Sequence, residues 1–196
     1  MNTELPLFPL QTVLFPGARL SLRIFEQRYL DMVRECTRNE QGFGVICAWP
    51  ANEDNHSRHA RIGTEAVVVD FTTLEDGLLG LTCEGRRRFR ISRTHARENG
   101  LLIGKVDWMP PEPGVAVPTR FAILQTLMQE LMRHRETAST IDVDLEDASD
   151  LGRYLASMLP LPIDHAQALL EMTDPVARLE GIISLLQEAA PDEDGQ

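Results

Sequence analysis

Pro110-Pro111-Glu112-Pro113-Gly114 separates two different readings of this chain. Three prolines and a glycine in five residues sustain neither a helix nor a central strand, because each proline fixes φ and removes a backbone N–H. The charge changes at the same place. Residues 1–113 carry 14 basic and 15 acidic side chains, whereas residues 114–196 carry 5 and 15. The expectation is an α+β chain with a β-rich lobe over 1–112, a helical lobe over 113–190 and a disordered acidic tail over 191–196.

Upstream of the prolines the apolar period is mostly two. Leu5 and Leu7 flank Pro6 and precede Phe8-Pro9, which reads as a short edge strand. Leu20, Leu22 and Ile24 alternate with Ser21 and Arg23, as in a half-buried strand. Tyr29, Val33 and Cys36 then fall at helical spacing, so residues 26–37 form one amphipathic helix. Strands are expected over 43–49, 66–71, 78–83, 86–93 and 101–108, with a hairpin turn at Glu75-Asp76-Gly77 and a mobile polar loop over 50–61.

Downstream the period becomes helical, and about four helices are expected. Pro118 suits a first turn before the stripe Phe121, Leu124, Met128 and Leu131. Ser149 or Asp147 caps a helix that Pro160 ends. Asp164 caps a short helix through Met172, and Thr173 or Asp174 before Pro175 starts the last, which carries Val176, Leu179, Ile183 and Leu186.

Composition excludes several classes. The net charge of −11 disfavours a phosphate-tracking nucleic-acid binder. Cys36, Cys47 and Cys83 are far apart and form no CxxC pair, so they read as buried thiols. The single lysine, Lys105, is followed by Val106 and cannot complete a Walker A loop. GxSxG and HExxH are absent. No apolar run reaches membrane-spanning length, and Met1–Pro6 lacks the pattern of a secretory signal, so the expected compartment is the cytoplasm. No cofactor and no metal is expected.

Three constellations remain. Arg86, Arg88 and Arg90 alternate with Arg87, Phe89 and Ile91, which on a regular strand puts three guanidiniums on one face. They are the candidate residues for binding an acidic or phosphate partner, weighed against a solvated sheet face or arginines paired with the chain's own acidic helical lobe. His56 and His59 form HxxH near Glu53 and Asp54, which reads as a hydrophilic loop. Asp142 to Asp147 lacks the glycine and closing glutamate of a calcium loop and reads as a linker with helix N-terminal charge. His95, His134 and His165 are isolated.

Leu5-Pro6-Leu7-Phe8-Pro9-Leu10, Val13-Leu14-Phe15-Pro16-Gly17 and Leu20-Ser21-Leu22-Arg23-Ile24-Phe25-Glu26 together resemble the opening of the Lon protease N-terminal (LON) domain. Arg28-Tyr29 and Phe43-Gly44-Val45 are similar to its stand-alone bacterial members. Ile62-Gly63-Thr64, Asp76-Gly77, Gly85–Ile91, Leu159-Pro160-Leu161 and Arg178-Leu179-Glu180 follow in the expected order. The resemblance implies a PUA-like β-pseudobarrel lobe followed by a helical bundle. It also implies a non-catalytic, substrate-recognising role without ATPase or protease modules. Expected partners are unfolded or extended polypeptide segments, with a protease or chaperone as a further partner class. RNA binding and adaptor delivery to a separate protease are the alternatives.

Overall fold

The computed structural model describes residues 3–50, 58–133 and 143–189. The expectations for residues 51–57, including Glu53, Asp54 and His56, and for His134, Asp142 and the tail 191–196 lie outside the described residues. The chain forms two compact units, Met1–Pro111 and Glu112–Gln196.

In the first unit, β1 (Thr3–Leu10), β2 (Arg19–Ile24), α1 (Gln27–Arg38), β3 (Phe43–Trp49), β4 (Arg58–His59), β5 (Ile62–Thr73), β6 (Leu79–Ala96) and β7 (Leu102–Trp108) follow in order. The strand order is β1-β7-β6-β5-β3-β4, and β1 also pairs with β3 in parallel. That last pairing closes β1, β7, β6, β5 and β3 into a ring, the pseudobarrel. β2 pairs with β6 outside the ring.

Two cores result. Leu5, Leu7, Ile46, Phe89, Ile91 and Val106 form one from ring strands alone. The ring is small, so glycines make room: a Cβ on Gly44 or Gly63 would meet the Phe89 ring at 2.6 and 2.9 Å. The second core brings Tyr29, Met32, Val33 and Cys36 of α1 against Phe8, Phe43, Val45, Leu81 and Cys83. Strands with apolar side chains on both faces, such as β3, therefore separate the two cores.

A bulge shifts β6 from one core to the other. Gly85 pairs with Ala66 and Arg88 with Thr64, so Arg86 and Arg87 together oppose Glu65. The extra residue reverses the alternation. Leu81 and Cys83 precede it and pack in the α1 core. Phe89 and Ile91 have the same parity but follow it, and pack in the ring.

Three expectations for this unit change. β1 is not an edge strand: Thr3–Leu7 pairs with β7 and Leu7–Leu10 with β3. Among the described residues each half is paired along one edge, and a proline N–H missing from the other edge costs nothing. The segments 78–83 and 86–93 are one 18-residue strand, because the bulge bends β6 without ending it. Arg58 and His59, expected in a loop, pair with β3.

In the second unit a short 3-10 turn, Thr119–Phe121, leads into α2 (Ala122–Arg133), followed by α3 (Ala148–Met158), α4 (Ile163–Glu171) and α5 (Pro175–Ala189). Asp147 Oδ1 accepts from the N–H groups of Ser149 and Asp150, so Asp147 is the cap of α3. Asp174 does the same for α5 through Val176 and Ala177, with Pro175 in the first turn. Pro162, not Asp164, stands at the N-cap of α4; Asp164 lies in the first turn. The buried stripe of α5 runs through Pro175, Arg178, Leu179 and Ile182, while Val176, Ile183 and Leu186 are half-buried. A charged residue, Arg178, is therefore interior.

Candidate functional site

The three arginines of β6 do not form one open face. Arg88 is 5% exposed. Arg86 is exposed and pairs with Glu84 at 3.4 Å. Arg90 is exposed and stands opposite Asp107 in the β6–β7 ladder. Arg87, expected to face away, reaches Glu65 at 3.1 Å and lies 3.9 Å over the Trp108 ring. The bulge sets Arg86 and Arg87 together opposite Glu65, and Arg88 is buried on the face opposite Phe89.

The histidines stay apart as well. His59 is half-buried, with Nδ1 3.3 Å from the carbonyl oxygen of Ala60. His95 and His165 are exposed. Among the described residues, no three His, Cys, Asp or Glu side chains converge in a way that could hold a metal ion. Cys36, Cys47 and Cys83 are all buried. Burial pushes the Cys36 thiol up to about 11 and the Cys83 thiol up to about 12, so neither is a ready nucleophile.

The site that the structure does form is a groove of about 550 Å³ in the first unit. One wall is the end of β1, Phe8 to Leu10; the other is β2 from Ser21 to Ile24 and the start of α1. Phe8 and Tyr29 stack at 4.0 Å across its floor, joined by Leu10, Leu22 and Leu102. Burial raises the Tyr29 pKa, with Arg28 opposing. Phe25 stands at the mouth, 68% exposed. Phe25 extends the apolar lining of the groove to the surface.

The charges at the rim are largely neutralised in place. Arg23 bonds Asp76 of the β5–β6 turn. Arg28 bonds Glu26 at 2.7 Å and donates to the Gly100 carbonyl. The groove therefore offers apolar area rather than net charge.

Its β2 wall is an open strand edge: among the described residues, β2 pairs with β6 alone. Gly17, at φ 83°, starts this strand by a bulge. Its N–H donates to Gly85 O at 2.8 Å, and Gly85 N–H donates to Ala18 O at 2.9 Å. No Cβ fits at Gly85, where it would lie 2.3 Å from the Phe15 carbonyl oxygen. This contact sets the ladder phase. Two residues on, Leu20–Cys83, Leu22–Leu81 and Ile24–Leu79 exchange bonds with β6. The backbone groups of Arg19, Ser21 and Arg23 then point to the free edge.

An apolar groove at the β lobe is in line with the substrate-recognising role that the resemblance implies, but its lining residues are not legible in the sequence, because its walls are distant in the chain. Phe25 was the available signal, an aromatic residue set between a strand and a helix in neither apolar pattern. Among the described residues, no helix is long and apolar enough to cross a membrane.

The family model of the ATP-dependent protease La (LON) substrate-binding domain matches residues 4–188. A crystal structure of a Lon N-terminal domain protein from Xanthomonas campestris is 37% identical, with a TM-score of 0.79 over 93% of this chain and 98% of that one. The N-terminal domain of the Mycobacterium avium complex Lon protease shares the fold at 17% identity, with a TM-score of 0.65 over 96% of this chain and all of that one. Lon protease 2 of Myxococcus xanthus is 28% identical over 93% of this chain and 23% of its own length. The chain spans about a quarter of the length of the curated relatives it matches. With an α+β fold of a β-pseudobarrel and a helical unit, this chain belongs to the LON substrate-binding domain family.

Proposed function

We propose that this chain is a non-catalytic polypeptide-binding module, and that unfolded or extended segments bind in the groove between β1, β2 and α1. The observation that carries this reading is the conjunction of an apolar groove with an unpaired strand edge along one wall. Apolar area supplies affinity, and the edge supplies backbone hydrogen bonds that any sequence can make.

The opposite edge of the same sheet supports the choice by contrast. β5 beyond Ala66 is also unpaired on one side among the described residues. There the Phe71 N–H is taken by the Asp70 carboxylate at 2.8 Å, and a bulge falls between Val68 and Asp70. Bulges and edge charges hinder strand addition. β2 carries no bulge between Arg19 and Ile24, and its two edge charges, Arg19 and Arg23, are both basic.

The RNA alternative loses support from the burial of Arg88 and the pairing of Arg86 and Arg87 with glutamates. The test is fluorescence anisotropy of a labelled, reduced and carboxymethylated serum albumin, without nucleotide. Saturable binding in the micromolar range that is weakened by Phe25→Ser supports the reading. No binding to this or to other unfolded chains contradicts it.

A further inference from the structure

Resting on the groove reading above, we infer that the site selects extended segments whose side chains alternate between apolar and acidic, added as a strand to the free edge of β2. The ladder phase carries the first half of this. Leu79, Leu81 and Cys83 of β6 serve β2. On the other side of β6, Leu74 N–H donates to Leu78 O, so Gly80 and Thr82 serve β5. Both sides agree that Arg19, Ser21 and Arg23 aim their backbone groups outward.

Side-chain direction carries the second half. Leu20 and Leu22 pack toward the α1 core, which is also the side of the groove floor. Arg19, Ser21 and Arg23 project from the opposite face. A residue of an added strand that lies opposite Leu20 or Leu22 points into the groove over Phe8, Leu10 and Tyr29. Its neighbours lie opposite Arg19, Ser21 and Arg23 and point the other way. The groove row demands apolar side chains. The outer row meets two guanidiniums: Arg19 is exposed and makes no ion pair among the described residues, and Arg23 shares one carboxylate with the β5–β6 turn. Acidic side chains complement that row and basic ones oppose it. A proline that must donate to Ser21 or Arg23 is excluded.

Three labelled peptides test this beside the unfolded albumin: alternating Val and Glu, alternating Val and Lys, and a block peptide with the composition of the first. The alternating Val–Glu peptide is expected to bind about tenfold tighter than either of the others at low salt. Arg19→Glu with Arg23→Glu should invert the Glu-over-Lys preference while leaving albumin binding measurable. Equal binding of the three peptides, or none, while albumin binds overturns this inference alone. Loss of all four ligands, albumin included, overturns the groove reading and this inference with it.

Discussion

Arg178 and Glu112 form a bidentate ion pair, at 2.8 and 2.5 Å, with both side chains almost wholly removed from solvent (1% and 4% exposed). Two further guanidinium N–H groups reach the carbonyl oxygens of Leu169 and Met172, at the end of α4. One side chain thus ties α4, α5 and the proline-rich entry segment together, and Gly152 of α3 leaves room for its stem, whose Cδ lies 3.2 Å from where a Cβ would be. Replacing Glu112 by Ala strands a buried cation. The expected loss is about 3–5 kcal/mol of stability, read by urea unfolding. Glu112→Gln, which keeps shape and an acceptor, should cost less.

The entry segment is fastened at further points. Ser149 Oγ donates to Pro113 O, Ala148 N–H to Val115 O and Val117 N–H to Glu146 O. The prolines marked the segment in the sequence because proline acts locally. Arg178 as its anchor was not legible, since an arginine at an apolar helical position looks exposed until its buried partner is known. Strands β3 and β7 and helix α1 were legible to within a few residues, because a half-buried face imposes its period on the residues beneath it. The arginine row of β6 failed for a specific reason. A bulge adds one residue to one strand, depends on the partner register, and leaves no mark in a single strand's pattern.

Gly85→Ala should be strongly destabilising. The added carbon meets backbone, the Phe15 carbonyl oxygen, at 2.3 Å, and backbone cannot rotate away as a side chain can. A loss of about 1–3 kcal/mol or more is expected in thermal or denaturant unfolding. Because this contact sets the phase of β2, peptide binding should fall with it.

Alkaline pH should weaken the fold. Cys36 and Cys83 titrate at about 11 and about 12 when folded, against about 8.5 for a free thiol. The unfolded chain then binds fewer protons than the folded one above about pH 8.5, so stability falls as pH rises through that window. Glu35 acts at the other end. Its hydrogen bond to Arg97 lowers its pKa, so that contribution is present above the ordinary carboxylate range and lost as pH falls through the depressed value. Urea midpoints across pH measure both. Iodoacetamide should label the two thiols slowly at pH 8 in the folded protein and rapidly in urea.

Asp70 is expected to guard its edge. Asp70→Ala frees the Phe71 N–H beside a ring that is 50% exposed. Self-association should rise with concentration in sedimentation or light scattering, with little change in the unfolding midpoint. Unchanged self-association would show that the bulge alone is sufficient protection.

Hydrogen exchange tests the central claim most directly. In the free protein the amides of Ser21 and Arg23 should exchange rapidly, because they point to an unpaired edge. Saturation with unfolded polypeptide should slow both, leave Phe71 unchanged, and fail to do so in the Phe25→Ser variant. Bound polypeptide that leaves Ser21 and Arg23 exchanging as before would contradict the account.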